Sequence, residues 1–391
     1  MTIIVTGADG FVGWPTALRI ANRTDERVVG VDNLARRQWV EEIGSKSAVP
    51  IASIDARLQA AEEQGYGNLS FVEGDLTERS FVDELLQVHE PRVVVHAAAQ
   101  PSAPYSQING ERANYTQHNN MQATRNLAFG LAENGLRDTH LVETTTTGVY
   151  GAPEFPIPEG GATMENGGER DEVPFPAMAG SWYHLTKSHD AANLRLARQQ
   201  FDIPVSDVRT AITYTTETEE TAADERLATR FDFDYYFGVV THRFCAQAVA
   251  EYPLTVYGKG QQRKPFISLE DAVEGLARLA LNDVGDRPDD HVVYNQVTRA
   301  ISIVEIAETI VEVAREHGLD TEVTHVENPR DEDETHEMEI ENDRYMDLIG
   351  SQRVDFEGGV RDAISSLIEY QDVVKAHEDR FLPDALQEDV E

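Results

Sequence analysis

The sequence predicts a doubly wound, largely parallel α/β sheet carrying a smaller mixed α/β lobe. Three observations lead there. A buried apolar run at the N-terminus opens straight into regularly spaced glycines. Short β-branched runs alternate with helical stretches, the pattern of βαβ units. A chain of 391 residues is also long enough to bury a sizeable core.

The elements follow in order. Thr2-Ile3-Ile4-Val5 begins a buried strand over residues 2–6. Gly7, Gly10 and Gly13 come next, then a helix from Trp14 to Asn22. Val28-Val29-Gly30-Val31 is a second strand that stops at Asp32, and Leu69-Ser70-Phe71-Val72 a third that ends near Asp75. Arg92-Val93-Val94-Val95-His96 is a fourth. Leu141-Val142 and Val205-Ser206-Asp207-Val208 read as further strands, with helices over 113–134 and 182–200. Residues 151–180, rich in Gly, Pro and Glu, read as a long loop, and loops of that length are usually functional. Residues 214–232 are polar and acidic, and 329–343 form a solvated acidic run. The expected division is a dinucleotide-binding domain over 1–208 and a substrate-binding lobe over 209–391. Parts of 238–283 and 291–298 should return to the first domain.

Charge narrows the function classes. Asp and Glu number 70 against 33 Lys and Arg, a net charge of −37. Lysine occurs at only Lys46, Lys187, Lys259, Lys264 and Lys375. Such a surface repels phosphate backbones and anionic lipid heads, so nucleic-acid and membrane partners are not expected. An acidic, lysine-poor surface fits a salt-adapted protein, because molar salt screens like-charge repulsion within ~3 Å. Cys245 is the single cysteine and suits a reducing, cytoplasmic setting. It reads as a core thiol.

Gly7-x-x-Gly10-x-x-Gly13 lies where a strand turns into a helix. There the first glycine permits the turn, the second lets the backbone approach a pyrophosphate, and the third packs the helix close. Asp32 ends the second strand. Its carboxylate would accept from a ribose 2′-hydroxyl and repel a 2′-phosphate, so NAD is the expected cofactor in this Rossmann-type half. Arg36 and Arg37 stand nearby. Tyr183-x-x-x-Lys187 puts a phenol and an ammonium on one helix face. The ammonium favours the phenolate and should lower its pKa, so Tyr183 can serve as a base. Thr144 to Thr147 end a strand upstream.

Together these residues resemble the extended short-chain dehydrogenase/reductases. Within that group the chain resembles the UDP-sulfoquinovose synthase family. The closer likeness rests on Asp32-Asn33-Leu34-Ala35-Arg36-Arg37, Ser102-Ala103-Pro104-Tyr105-Ser106 and Tyr115-Thr116-Gln117-His118-Asn119-Asn120. Tyr183-His184-Leu185-Thr186-Lys187, Arg243-Phe244-Cys245, Pro253 to Gly260 and Asn328-Pro329-Arg330 continue it. The resemblance implies conversion of UDP-glucose and sulfite to UDP-sulfoquinovose, with transient oxidation at C4 by NAD. It implies cofactor contacts from Gly7, Gly10, Phe11, Val12, Gly13, Asp32, Asn33, Arg36, Asp75, Leu76, Ala97, Ala98, Asn120, Tyr183 and Lys187. It places Thr146, Tyr183, Lys187 and His184 in catalysis, His184 in the elimination of water. Gln100, Tyr105, Thr146, Arg243, Lys264 and Arg330 would bind substrate, and a homodimer is the default assembly. The chain departs from the family pattern at Ala99-Gln100-Pro101, where the family has Glu-Gln-Arg. That arginine would be a natural sulfite partner. A UDP-sugar 4-epimerase or dehydratase that omits sulfite is the alternative.

Overall fold

The computed structural model describes residues 1–175, 177–282, 291–328, 336–383 and 386. Its main sheet has seven parallel strands: β1 (Thr2–Thr6), β2 (Arg27–Asp32), β3 (Leu69–Glu73), β4 (Val93–His96), β5 (His140–Thr146), β6 (Val205–Thr210) and β7 (His291–Gln296). Their spatial order is β7-β6-β5-β4-β1-β2-β3. The winding reverses between β1 and β4, so a crevice opens at the carboxyl ends of those strands.

Both faces of the sheet are covered, which is why its strands read as continuous apolar runs. Alternation sends Ile3 and Val5 to one side and Ile4 to the other. Ile3 and Val5 meet α1 (Gly13–Arg23) through Trp14 and Leu18. Ile4 meets α2 (Gly110–Glu133) and α3 (Trp182–Phe201) through Leu127, Leu131 and Leu194. Side chains cap both of these long helices. Asn109 accepts from the Arg112 amide, and Ser181 accepts from the His184 amide.

A second core forms around α4 (Val240–Ala250), α6 (Ile303–Glu316) and α7 (Phe356–Ile368). Phe244, Val249, Ile306, Ile310, Val360 and Ile364 pack there. Strand Arg263–Ser268 runs antiparallel to Arg299–Ser302 and parallel to Ile212–Tyr214 in a small sheet beside it. What returns to the first domain is α5 (Leu269–Leu281), whose Leu276 packs among the α1 residues, and β7. The stretch 240–250 packs in the second core, where its apolar face meets α6 and α7. Cys245 lies in that core, and burial pushes its thiol up to about 12.

The segment 151–180 also differs from expectation. It contains an antiparallel hairpin, Gly161–Asn166 with Glu169–Pro174, turned by Gly167-Gly168. Both turn glycines have positive φ (61° and 84°), as a two-residue hairpin turn requires.

Arginine neutralises much of the interior charge. Arg19 on α1 is 1% exposed and reaches Glu220 at 2.5 Å, Glu270 at 2.8 Å and Glu274 at 3.1 Å. Among the described residues, no helix is long and apolar enough to cross a membrane.

Candidate active site

A cavity of about 1020 Å³ runs from the glycine loop, past the ends of β4 and β5, to strand Arg263–Ser268. Gly7, Gly10, Phe11, Val12 and Gly13 line one end of it. The glycines are sterically required. A Cβ on Gly7 would sit 2.6 Å from the Ala97 carbonyl, and one on Gly13 would sit 2.0 Å from the Gly7 oxygen. Gly7 also has φ of +72°. This cradle suits a pyrophosphate at the helix start. Asp32, Asn33, Arg36, Asp75, Leu76, Ala97 and Ala98 line the same region. The Asp32 carboxylate accepts from the amides of Asp9 (3.0 Å) and Leu34 (2.7 Å). Burial, and then the charge of Asp9, push it up to about 6 despite those bonds. Asp75 accepts from Asn33 at 3.1 Å.

Residues 228–242 form a strap over the glycine loop, beginning in the stretch 214–232 that the sequence reads only as polar and acidic. The Thr229 hydroxyl donates to the Phe11 carbonyl at 3.2 Å, and His242 packs edge-on against Phe11 at 5.1 Å. Arg57 donates to the Ala228 carbonyl at 2.8 Å. Arg36 pairs with Asp232 at 2.7 Å and lies over the Phe237 ring at 3.9 Å. Arg230 binds the same carboxylate at 2.8 Å. Arg36 therefore serves to hold the strap, besides lining the cavity. Arg37 turns the other way and forks onto Asp9 at 2.7 Å and 2.8 Å.

Thr146, Tyr183, His184 and Lys187 line the middle of the cavity. Thr146 Oγ1 caps the turn Thr147–Tyr150 by accepting from the Gly148 amide at 3.1 Å. A hydroxyl that accepts there still carries its own hydrogen to donate. His184 Nδ1 lies 3.0 Å from Ser181 Oγ, and its ring stands 5.2 Å from that of Tyr183. Its other edge presses on Gly148, where a Cβ would come within 2.3 Å of Cδ2. Gly148→Ala is expected to displace the imidazole and to lower turnover by about 10²-fold, the effect of moving a reacting group by ~1 Å. Steady-state kinetics with retained cofactor content would check it.

Lys187 is 3% exposed, with Asp190 at 3.3 Å and Glu143 at 3.6 Å from Nζ. Burial works against its charge, but Asp190 and Glu143 outweigh burial and hold the ammonium above its usual range. The phenol of Tyr183 does not follow the simple expectation. Burial raises its pKa, Lys187 offsets only part of that, and Asp190 adds to the rise. The net direction is upward because the desolvation of the phenolate outweighs the attraction of Lys187.

At the far end lie Arg243 and Lys264. Arg243 donates to the Tyr257 hydroxyl at 2.9 Å and stacks on that ring. Three predicted residues are not brought to the cavity wall. Gln100 is fully buried, with its amide 3.2 Å from Thr116 Oγ1, turned inward where Pro101 extends the backbone. Tyr105 is fully buried against Trp39 and Phe237, and its hydroxyl reaches Glu42 at 3.2 Å. Asn120 ties the loop after β4 to α3, bonding the Gln100 amide (2.8 Å) and Thr186 (2.9 Å). Arg330 lies outside the described residues. Among those described, no group of three metal-ligating side chains occurs.

Over residues 3–295 the chain matches the NAD dependent epimerase/dehydratase family. It is 40% identical to the UDP-sulfoquinovose synthase of Sulfolobus acidocaldarius, across 86% of this chain and 84% of that protein. It is 36% identical to the chloroplastic UDP-sulfoquinovose synthase of Spinacia oleracea, across 88% of this chain and 71% of the relative. In fold it is similar to UDP-glucuronic acid 4-epimerase from Bacillus cereus, solved with UDP-glucuronic acid and NAD. That match has a TM-score of 0.68 at 19% identity, and it covers 94% of this chain and 99% of the other.

Proposed function

Because the chain belongs to the UDP-sulfoquinovose synthase family of NAD dependent epimerase/dehydratases, we propose that it converts UDP-glucose and sulfite into UDP-sulfoquinovose and water. The observation that carries this reading is the grouping of Thr146, Tyr183, His184 and Lys187 at mid-cavity, between a dinucleotide cradle and a cationic far end, in a chain alike to such synthases along most of its length.

Bound NAD would take hydride from C4 of the hexose and later return it. Tyr183 removes the 4′-hydroxyl proton, and Lys187 stabilises the phenolate that accepts it. Thr146 donates to or accepts from the same hydroxyl and fixes its direction. A 4-keto group acidifies the C5 proton, so water can leave across C5–C6 with His184 placed to move protons. Sulfite adds at C6 of the resulting enone, C5 regains its proton, and C4 is reduced again. Arg243 and Lys264 would meet the diphosphate. Gln100 and Tyr105 support the sugar loop from behind.

We further read the protein as a cytoplasmic, salt-adapted homodimer. The test is therefore run at molar salt. Purified protein given UDP-glucose and sulfite should yield a nucleotide sugar heavier by a sulfonate in mass spectrometry. Pro101, standing where the family has an arginine, favours the second reading, a UDP-sugar 4-epimerase. Recovery of UDP-galactose with no sulfur incorporated would replace the first reading by that one.

A further inference from the structure

Behind Lys187, on the side away from the cavity, the structure buries more negative charge than one ammonium can match. Glu143 on β5 and Asp190 on α3 are both fully buried. Lys187 lies 3.3 Å from Asp190 and 3.6 Å from Glu143. Thr124 on α2 donates to Glu143 Oε1 at 3.0 Å, while Glu143 Oε2 has no hydrogen-bond partner among the described residues. We propose that Glu143 stands as a neutral carboxylic acid while Asp190 is the anion paired with Lys187, and that Glu143 is a positioning residue for the Lys187–Tyr183 pair.

Among the described residues, the surrounding elements offer Glu143 no second cation. From β4, His96 faces Thr124 at 3.4 Å and bonds Thr6 of β1 at 2.7 Å. Burial, and then the charge of Lys187, push His96 down to about 3, so it stays neutral. From β6, Asp207 adds a further negative charge, but Arg209 holds it at 3.1 Å. His140, also on β5, bonds Ser206 at 2.9 Å. From α3, Tyr183 lies beyond Lys187, and His189 is exposed to solvent. Asp190 likewise has no hydrogen-bond partner on either oxygen among the described residues, so two ionised carboxylates in so dry a site are far costlier than one anion and one neutral acid, and the shorter approach of Lys187, 3.3 Å against 3.6 Å, assigns the anion to Asp190. Burial and the charge of Asp190 push Glu143 up to about 8, in keeping with this count.

The neutral acid matters to Tyr183. With Glu143 protonated, Lys187 has one counter-charge and its field reaches the phenol. Once Glu143 ionises, a second negative charge beside Lys187 cancels that field and raises the phenol pKa. Activity should then fail on the alkaline side.

The experiment uses the full-length protein. The infrared difference spectrum between about pH 7 and about pH 10 should show loss of a protonated carboxyl band in the wild type. Asp32 and Asp234, pushed up to about 6, lose most of their protons below that window. The band should be missing in Glu143→Gln. In Asp190→Asn, Glu143 gains Lys187 to itself and should already be ionised near neutrality. A wild type with no titrating band, or a band that persists in Glu143→Gln, overturns the proposal. So does an unchanged band in Asp190→Asn. The kinetic arm rests on the synthase reading: the ratio of kcat at about pH 9 to that at about pH 7 should be about tenfold larger in Glu143→Gln than in wild type, with KM little changed. An equal ratio overturns the link to Tyr183. If the wild type makes no sulfonated sugar, the function falls, while the infrared result still decides the state of Glu143.

Discussion

Replacing Tyr183 by phenylalanine is expected to lower oxidation at C4 by about 10²–10⁴-fold, the usual contribution of a positioned acid–base group. The substitution removes one oxygen and leaves the ring that packs 5.2 Å from His184. The glycine cradle and the strap are untouched, so cofactor content should equal that of wild type. Single-turnover mixing with UDP-glucose, followed by the near-ultraviolet absorbance of reduced nicotinamide, reads the step directly. Lys187 cannot take over, because Asp190 holds it charged. Undiminished reduction in the variant would remove Tyr183 from the role of base.

Arg19→Ala should be the most damaging change remote from the cavity. Arg19 bridges α1, α5 and the segment near Glu220 from a position 1% exposed. Glu274 would keep Arg23 at 2.7 Å and Arg278 at 2.6 Å. Among the described residues, Glu220 would keep Asn22 at 3.2 Å and Thr218 at 3.2 Å and no cation. Breaking a buried ion pair from one side costs about 3–5 kcal/mol. The midpoint of urea unfolding, measured at fixed salt, should fall accordingly. Arg79, which meets Asp83 and Glu133 at the surface, supplies the contrast. Its alanine variant should lose no more than about 0.5 kcal/mol, because exposed pairs are weak. Equal losses for the two variants would contradict the account.

The sheet was legible in the sequence because its strands are buried on both faces. Unbroken runs such as Val93-Val94-Val95 therefore mark them without ambiguity. The cradle was legible because glycine spacing at a strand–helix junction has a steric cause, seen in the 2.0 Å approach at Gly13. The lobes were harder to divide. Helix 240–250 is apolar enough to suit either core, and only the tertiary contact with α6 and α7 decides. Gln100 and Tyr105 were assigned to substrate from their place on a loop. Side-chain direction there depends on Thr116 and Glu42, which are remote in sequence. Glu143 carried a usable signal, since an acid inside the run Leu141-Val142-Glu143 must be buried by the strand around it. Its partners Asp190 and Thr124 become visible only once α2 and α3 lie together.

The strap over residues 228–242 bears on how long a dinucleotide stays. It is fastened from several sides: Thr229 to Phe11, Arg57 to the Ala228 carbonyl, Arg36 and Arg230 to Asp232, and Phe231 through its amide to Ser47 at 2.8 Å. A molecule lying between strap and glycine loop is covered on that side while these fastenings hold. Its escape rate is then governed by the free energy of local opening, not by the strength of its own contacts alone. Hydrogen exchange at the Phe231 and Phe237 amides would track the same event. A protein built this way can carry its nucleotide through purification and dilution as a fixed component.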